Sequence, residues 1–183
     1  MTTYIGLLRG VNLGGNKMVA MADLREMVTT LGFRDVKTLL QSGNVVFRGA
    51  RQATAKLERQ LEAELERRLG LSVEIHVRTA DEWTGVIGAN PFRTEANKDP
   101  GHLLVTCFKA TLDPVKVKAL RAAITGPEVL HADGRHLYMV FPDGVGNSKA
   151  VGLIDRKLAA RGTARNWNTV LKLATSARAP KNE

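Results

Sequence analysis

The residues that could do chemistry lie in two glycine-rich stretches and one tryptophan-centred cluster. Residues 10–17 read Gly-Val-Asn-Leu-Gly-Gly-Asn-Lys. Gly10, Gly14 and Gly15 can take positive φ and turn backbone N–H groups toward an anion, while Lys17, with Arg9 just upstream, supplies charge. The pattern nearly matches a Walker A loop. However, Asn16 separates Gly15 from Lys17, and Met18 stands where a hydroxyl is needed. The Rossmann spacing fails as well. Two readings stay open: a loop that holds an anion or other ligand, or a structural loop whose Asn12 and Asn16 satisfy their own backbone.

Residues 143–149, Asp-Gly-Val-Gly-Asn-Ser-Lys, form the second stretch. Asn147 or Ser148 can cap a helix over 148–159, and that helix start with Lys149 suits an anion; plain capping is the competing account. In the third cluster, Arg165, Asn166, Trp167 and Asn168 place two amides around an indole beside an arginine. Such a tryptophan can stack on a base or ring, or serve as a core residue. A phosphate-binding groove would bring Lys17, Lys149 and Arg165 together.

Other chemistry is thin. His131 and His136 are read as cross-strand neighbours, but two ligands do not make a zinc site, so a metal is not expected. Cys107 lies mid-strand and reads as a buried thiol. The chain shows no Ser-His-Asp order, paired-carboxylate motif or HExxH. No cofactor is expected, and no catalytic residue is assigned.

Positioning these groups takes alternating strands and helices. Residues 4–9 read as a strand, and Leu24, Met27, Val28 and Leu31 form the stripe of an amphipathic helix closed by Gly32. Residues 36–41 and 44–48 flank a Ser42-Gly43 turn, with Gln41 opposite Asn44 and Leu39 opposite Val46. Val36, Leu40, Val45 and Phe47 then face the core. A helix over 53–69 carries Leu57, Leu61, Leu65 and Leu69, with Glu64 and Arg68 as an i,i+4 pair. A strand at 73–78 completes a βαββαβ order, the ferredoxin-like pattern.

Thr79 and Glu82 predict a capping box on a bridging helix, and 93–101 reads as a linker. The order then repeats. A strand spans 102–108, and a helix is capped by Asp113 with Pro114 at its first position. A hairpin turns at Asp133-Gly134 with His131 opposite His136, and Leu130, Leu137, Met139 and Phe141 face the core. A helix, a short strand at 163–165 and a helix over 167–177 follow, with Val170, Leu171 and Ala174 continuing the Trp167 face. The tail after Arg178 reads as frayed. The fold class is therefore α+β: two ferredoxin-like units in succession, 1–91 and 92–183, each with an appended helix and one open sheet face.

Composition narrows the classes further. The chain has 183 residues, 44% hydrophobic and 25% charged, as in globular proteins. It has no apolar run long enough to span a bilayer, so no membrane is expected. The single cysteine and the absence of a signal-peptide pattern suit the cytoplasm. Lysine and arginine exceed acids by 27 to 18, a formal charge of +9, and residues 147–183 hold +6 of it. Such a basic segment attracts phosphates, whether on nucleic acid or on small molecules.

Several blocks are distinctive: YIGLLRGVNLGGNK at 4–17, MADLREM at 21–27, LLQSGNVVF at 39–47, ANPF at 89–92, LYMVFPDGVGNSK at 137–149 and TARNWNTVLKL at 163–173. Together they resemble a bacterial family known as domain of unknown function 1697. The resemblance implies a two-unit α+β fold of alternating strands and helices, and it brings no activity, substrate or catalytic residue. The residues themselves favour a binding module for an anionic ligand, either nucleic acid or a phosphorylated small molecule. Its candidate contacts are Arg9, Asn12, Gly14, Gly15, Lys17, Ser148, Lys149, Arg165, Asn166 and Trp167. An enzyme with a cleft between the units and an interaction scaffold are the alternatives.

Overall fold

The computed structural model describes residues 1–178, so the tail after Arg178 lies outside the described residues. It divides into two compact units, Met1–Gly85 with residues 172–178, and Val86–Leu171. In the first unit the elements are β1 (Thr2–Leu8), α1 (Met21–Thr30), β2 (Arg34–Leu39), β3 (Asn44–Gly49), α2 (Thr54–Leu69) and β4 (Ile75–Thr79). The strands form an antiparallel sheet in the order β2-β3-β1-β4. This is the expected βαββαβ order. Leu24, Met27 and Val28 of α1 and Leu57, Leu61 and Leu65 of α2 bury their stripes with Tyr4, Leu8, Val45, Phe47 and Val77. The helix periodicity thus selects one sheet face as the core.

The β2–β3 register differs from expectation. Leu39 lies opposite Asn44 and Lys37 opposite Val46, so residues 40–43 form a four-residue turn. The wider turn closes with Leu40 and Gly43 at positive φ of 59° and 76°. The Asn44 side-chain amide also donates to the Leu39 carbonyl and the Ser42 hydroxyl. A shift of two residues keeps every side chain on its face. Val45 and Phe47 therefore stay in the core, while Leu40 moves into the turn and is 48% exposed.

On α2, the Glu64 carboxylate accepts from Arg68 at 2.6 Å and from Arg67 at 2.7 and 2.8 Å. These hydrogen bonds hold its pKa down at about 2, against an ordinary 4.5. A carboxylate with a lowered folded-state pKa stabilises the fold above its unfolded value, and that contribution is lost on acidification. The Tm advantage of wild type over Glu64→Gln should accordingly be complete above about pH 4.5 and shrink as pH falls toward 2. A difference that stays constant across that range, in a thermal melt at each pH, would contradict it.

After β4, α3 (Ala80–Gly88) begins with the expected capping box: the Thr79 N–H donates to the Glu82 carboxylate at 2.7 Å, and the Glu82 N–H to the Thr79 hydroxyl at 3.1 Å. The expected linker contains a short helix, α4 (Arg93–Lys98). Arginine, glutamate, alanine and lysine between Pro91 and Pro100 are helix formers framed by helix breakers, which explains the difference.

The second unit contains β5 (Leu103–Cys107), α5 (Pro114–Ala123), β6 (Val129–Asp133), β7 (His136–Val140), α6 (Val151–Leu158), β8 (Thr163–Asn166) and the start of α7 (Trp167–Arg178). Its antiparallel sheet has the order β6-β7-β5-β8, repeating the first. Asp113 caps α5 by accepting from the Val115 N–H at 2.8 Å. Leu120 packs with Leu130, Leu137, Met139 and Phe141.

Here the hairpin slips by one residue at each strand. Asp133 faces His136, leaving Gly134-Arg135 as the loop, and His131 faces Tyr138. The two histidines are therefore not opposite one another. The helix expected from 148 starts at Val151, because Ser148 is extended after a single 3₁₀ turn at Val145–Asn147.

The expected open sheet faces are covered. Ile5, Leu7, Asn44 and Val46 of the first sheet and Leu103, Val105, Cys107 and Tyr138 of the second are all buried. The hairpins alone look polar on this side, but β1 and β5 add a row of apolar residues that water would disfavour. No helix among the described residues is long and apolar enough to cross a membrane.

Candidate functional site

The glycine-rich loop after β1 is anchored at its base and exposed at its crest. Val11 and Val19 are buried in the core of the first unit at either end. Between them Asn12 takes a left-handed φ of 56° and works as a staple. Its side-chain amide donates to the carbonyls of Val19 at 2.9 Å and Gln41 at 2.7 Å, and its Oδ1 accepts from the Val19 N–H at 2.8 Å. The Asn12 N–H also donates to the Lys17 carbonyl at 2.9 Å, closing the loop on itself. Asn12 is thus a positioning residue, and its bond to Gln41 ties the loop to the 40–43 turn.

Five residues in these two segments have positive φ: Gly10, Asn12, Gly14, Leu40 and Gly43. At Gly43 only glycine fits, because a Cβ would stand 2.6 Å from Val11 Cγ2 and 2.8 Å from the Leu8 Cβ. A leucine held left-handed and facing water carries local strain, which folds retain mainly at functional sites. The crest presents Gly14 and Gly15 with open space around each, Leu13 at 78% exposure and Met18 at 64%. Lys17 is exposed, and its Nζ donates to the Ser72 carbonyl at 2.7 Å. An ammonium has three donors, so this anchor leaves donors for an anion. Arg9 is half-buried, and its N–H bonds the Glu74 carbonyl at 2.9 Å.

The second stretch is arranged differently. The Ser148 hydroxyl donates to the Glu128 carboxylate and accepts from the Ala150 N–H at 3.1 Å. Lys149 is exposed beside a cleft of about 270 Å³ whose lining also includes Glu128 and Asp143. Two carboxylates to one ammonium make that cleft a poor anion site.

In the third cluster the side chains serve the fold. Arg165 is buried on the covered sheet face opposite Val105, and its Nη1 donates to the Thr163 hydroxyl and the Ala164 carbonyl, both at 2.8 Å. Desolvation lowers its pKa to about 10, so it remains cationic at neutral pH. Asn166 caps α7 by accepting from the Thr169 N–H at 3.0 Å. Trp167 is buried. Lys149 and Arg165 therefore occupy unlike surroundings within one unit, one in solvent and one in the interior.

Sequence reasoning missed Leu40, whose left-handed backbone has no residue-type signal. It also missed Leu13 and Met18 as exposed apolar groups flanking Lys17. Among the described residues no cluster of three or more histidine, cysteine or acidic side chains could hold a metal.

Two antiparallel sheets, each wound βαββαβ, with a glycine-rich loop at the first strand–helix junction, define a class of α+β proteins with repeated ferredoxin-like units. Within that class the chain belongs to the family described as "Protein of unknown function (DUF1697)", whose model matches residues 1–138. A solved structure of the conserved bacterial protein SP0830 from Streptococcus pneumoniae is similar over 97% of this chain and 99% of that one, with a TM-score of 0.76 and 22% sequence identity. At that identity the likeness speaks for the fold. No curated protein matches the chain in sequence.

Proposed function

We propose that this protein is a binding module for a phosphate-bearing anion, nucleic acid or a phosphorylated small molecule, and that residues 9–18 form the contact loop. The observation that carries this reading is the conformation of that loop. Its base is locked by Asn12 and by two buried valines, while Gly14, Gly15 and Lys17 stand in solvent. A loop ordered before binding loses little entropy on contact, and glycines let an anion approach backbone N–H groups closely. The net charge of +9 adds long-range attraction. Arg165, Asn166 and Trp167 then contribute to the scaffold.

The test is fluorescence anisotropy with a labelled single-stranded oligonucleotide, with a nucleoside triphosphate as competitor, across a salt series. Affinity should fall as salt rises, and Lys17→Ala should reduce the slope of log K against log salt by about 1. Competition by the triphosphate at micromolar concentration points to a small-molecule ligand, and its failure to compete points to nucleic acid. Binding that ignores Lys17→Ala in a folded variant, or no binding to either probe, overturns the reading.

A further inference from the structure

The second unit has a cleft of about 430 Å³ between α5 and the β6–β7 hairpin. Its walls are pinned. The Phe108 N–H donates to the Arg135 carbonyl and the Leu112 N–H to the Gly134 carbonyl, both at 2.9 Å, and Asp113 caps the helix that forms one side. Leu112 and Val117 are almost buried and make an apolar floor. The polar side chains on the α5 side of the lining are Thr111 and Arg121, while His131 touches the cleft from the edge strand with its ring beside Tyr138 on the other sheet face. Arg121 Nη2 lies 3.4 Å from the Leu130 carbonyl, which draws the guanidinium across from the helix toward the hairpin.

Charge separates this cleft from the other cavities described. One is lined by Asp23 and Glu26 with Arg68, and another by Glu128 and Asp143 with Lys149. The α5–hairpin cleft has Arg121 on its lining, and its lining residues include no carboxylate. The acids nearest in sequence are Asp113, which is bonded to the α5 backbone, and Asp133, which lies opposite His136 at the hairpin end. A volume of 430 Å³ falls within the range of small-molecule sites, roughly 300–1,000 Å³.

We propose that this cleft is a second binding site, for a small organic anion: a carboxylate or phosphomonoester carried on an apolar body. The apolar body lies on Leu112 and Val117. The anionic head meets the guanidinium of Arg121, whose planar fork matches two oxygens of a carboxylate or phosphate. Thr111 adds a single hydrogen bond beside it. The site is independent of the loop in the first unit.

Titration of isotope-labelled protein followed by NMR tests this, with benzoate and phenyl phosphate as probes and inorganic phosphate and benzyl alcohol as controls. The probes should give saturable shifts at the amides of Thr111, Leu112, Ala132 and Gly134. Both controls should bind at least about tenfold more weakly, since each lacks half of the recognition. Arg121→Met should weaken benzoate by about tenfold or more, and Arg121→Lys should recover part of the loss. Arg121 is exposed, so both variants should fold, which the unperturbed spectrum reports. Shifts scattered over the basic surface, equal binding of either control, or an Arg121→Met variant that binds like wild type overturns the site. The readout is confined to the second unit, so this result and the loop result stand or fall separately.

Discussion

Trp167→Ala should destabilise the protein by about 3–5 kcal/mol, the range for deleting a large buried aromatic. For a chain of this length the Tm should fall on the order of 10 °C. The indole is only 5% exposed at the first residue of α7. Its backbone is fixed on both sides: the Trp167 N–H donates to the Pro100 carbonyl at 3.1 Å, and Asn166 caps the turn that follows. Val170, Leu173 and Ala174 extend its buried stripe, whereas Leu171, expected on that face, is 43% exposed. The side chain therefore has no low-energy escape when its surroundings close on an alanine, and a cavity results. A Tm that hardly moves would mean that the indole is accessible, and stacking on a base would then become the better account of this residue.

The fold was legible wherever periodicity and burial agree. The stripes Leu57, Leu61, Leu65 and Leu24, Met27, Val28 repeat at helical spacing, and both entered the core. Turn position was legible but register was not. Asp133-Gly134 marks a hairpin, yet two neighbouring two-residue loops use the same glycine, and the pairing chose Gly134-Arg135. The 40–43 turn was beyond reach because nothing in a leucine announces a φ of 59°. Site residues followed the same division. The 10–17 loop was visible because glycines and a lysine are local signals. The fate of Arg165 depended on which sheet face β8 turns toward Val105, a long-range fact. Arg121 and His131 lie ten residues apart on a helix and a strand, and only tertiary packing puts both on one cleft.

Glu58→Ala should cost as much as the tryptophan truncation, about 3–5 kcal/mol, because it breaks a buried ion pair from one side. β4 is an edge strand, and the Arg9 N–H bonds the Glu74 carbonyl, so the ladder bonds to β1 fall at Glu74, His76 and Arg78. The N–H groups of Ile75 and Val77 then point off the edge. Glu62 Oε1 accepts the first at 2.7 Å, and Glu58 Oε1 accepts the second at 2.9 Å. Four residues of helix rise about 6 Å, close to the roughly 6.6 Å of two strand residues, so carboxylates at i and i+4 on α2 match alternate amides of β4.

Glu58 does more than its neighbour, since it also lies 4.0 Å from Nη1 of the wholly buried Arg78. Truncating it strips an acceptor from a buried amide and a counter-charge from a buried guanidinium. Glu58→Gln, which keeps the acceptor and removes the charge, should cost less than alanine. The double variant Glu58→Ala with Arg78→Met should cost less than the sum of its single substitutions, because the second change removes the charge that the first left exposed to the interior. The measurement is denaturant unfolding of all four variants beside wild type. If Glu58→Ala costs no more than about 1 kcal/mol, as an exposed pair would, the carboxylate is not the partner that holds Arg78 and the β4 edge.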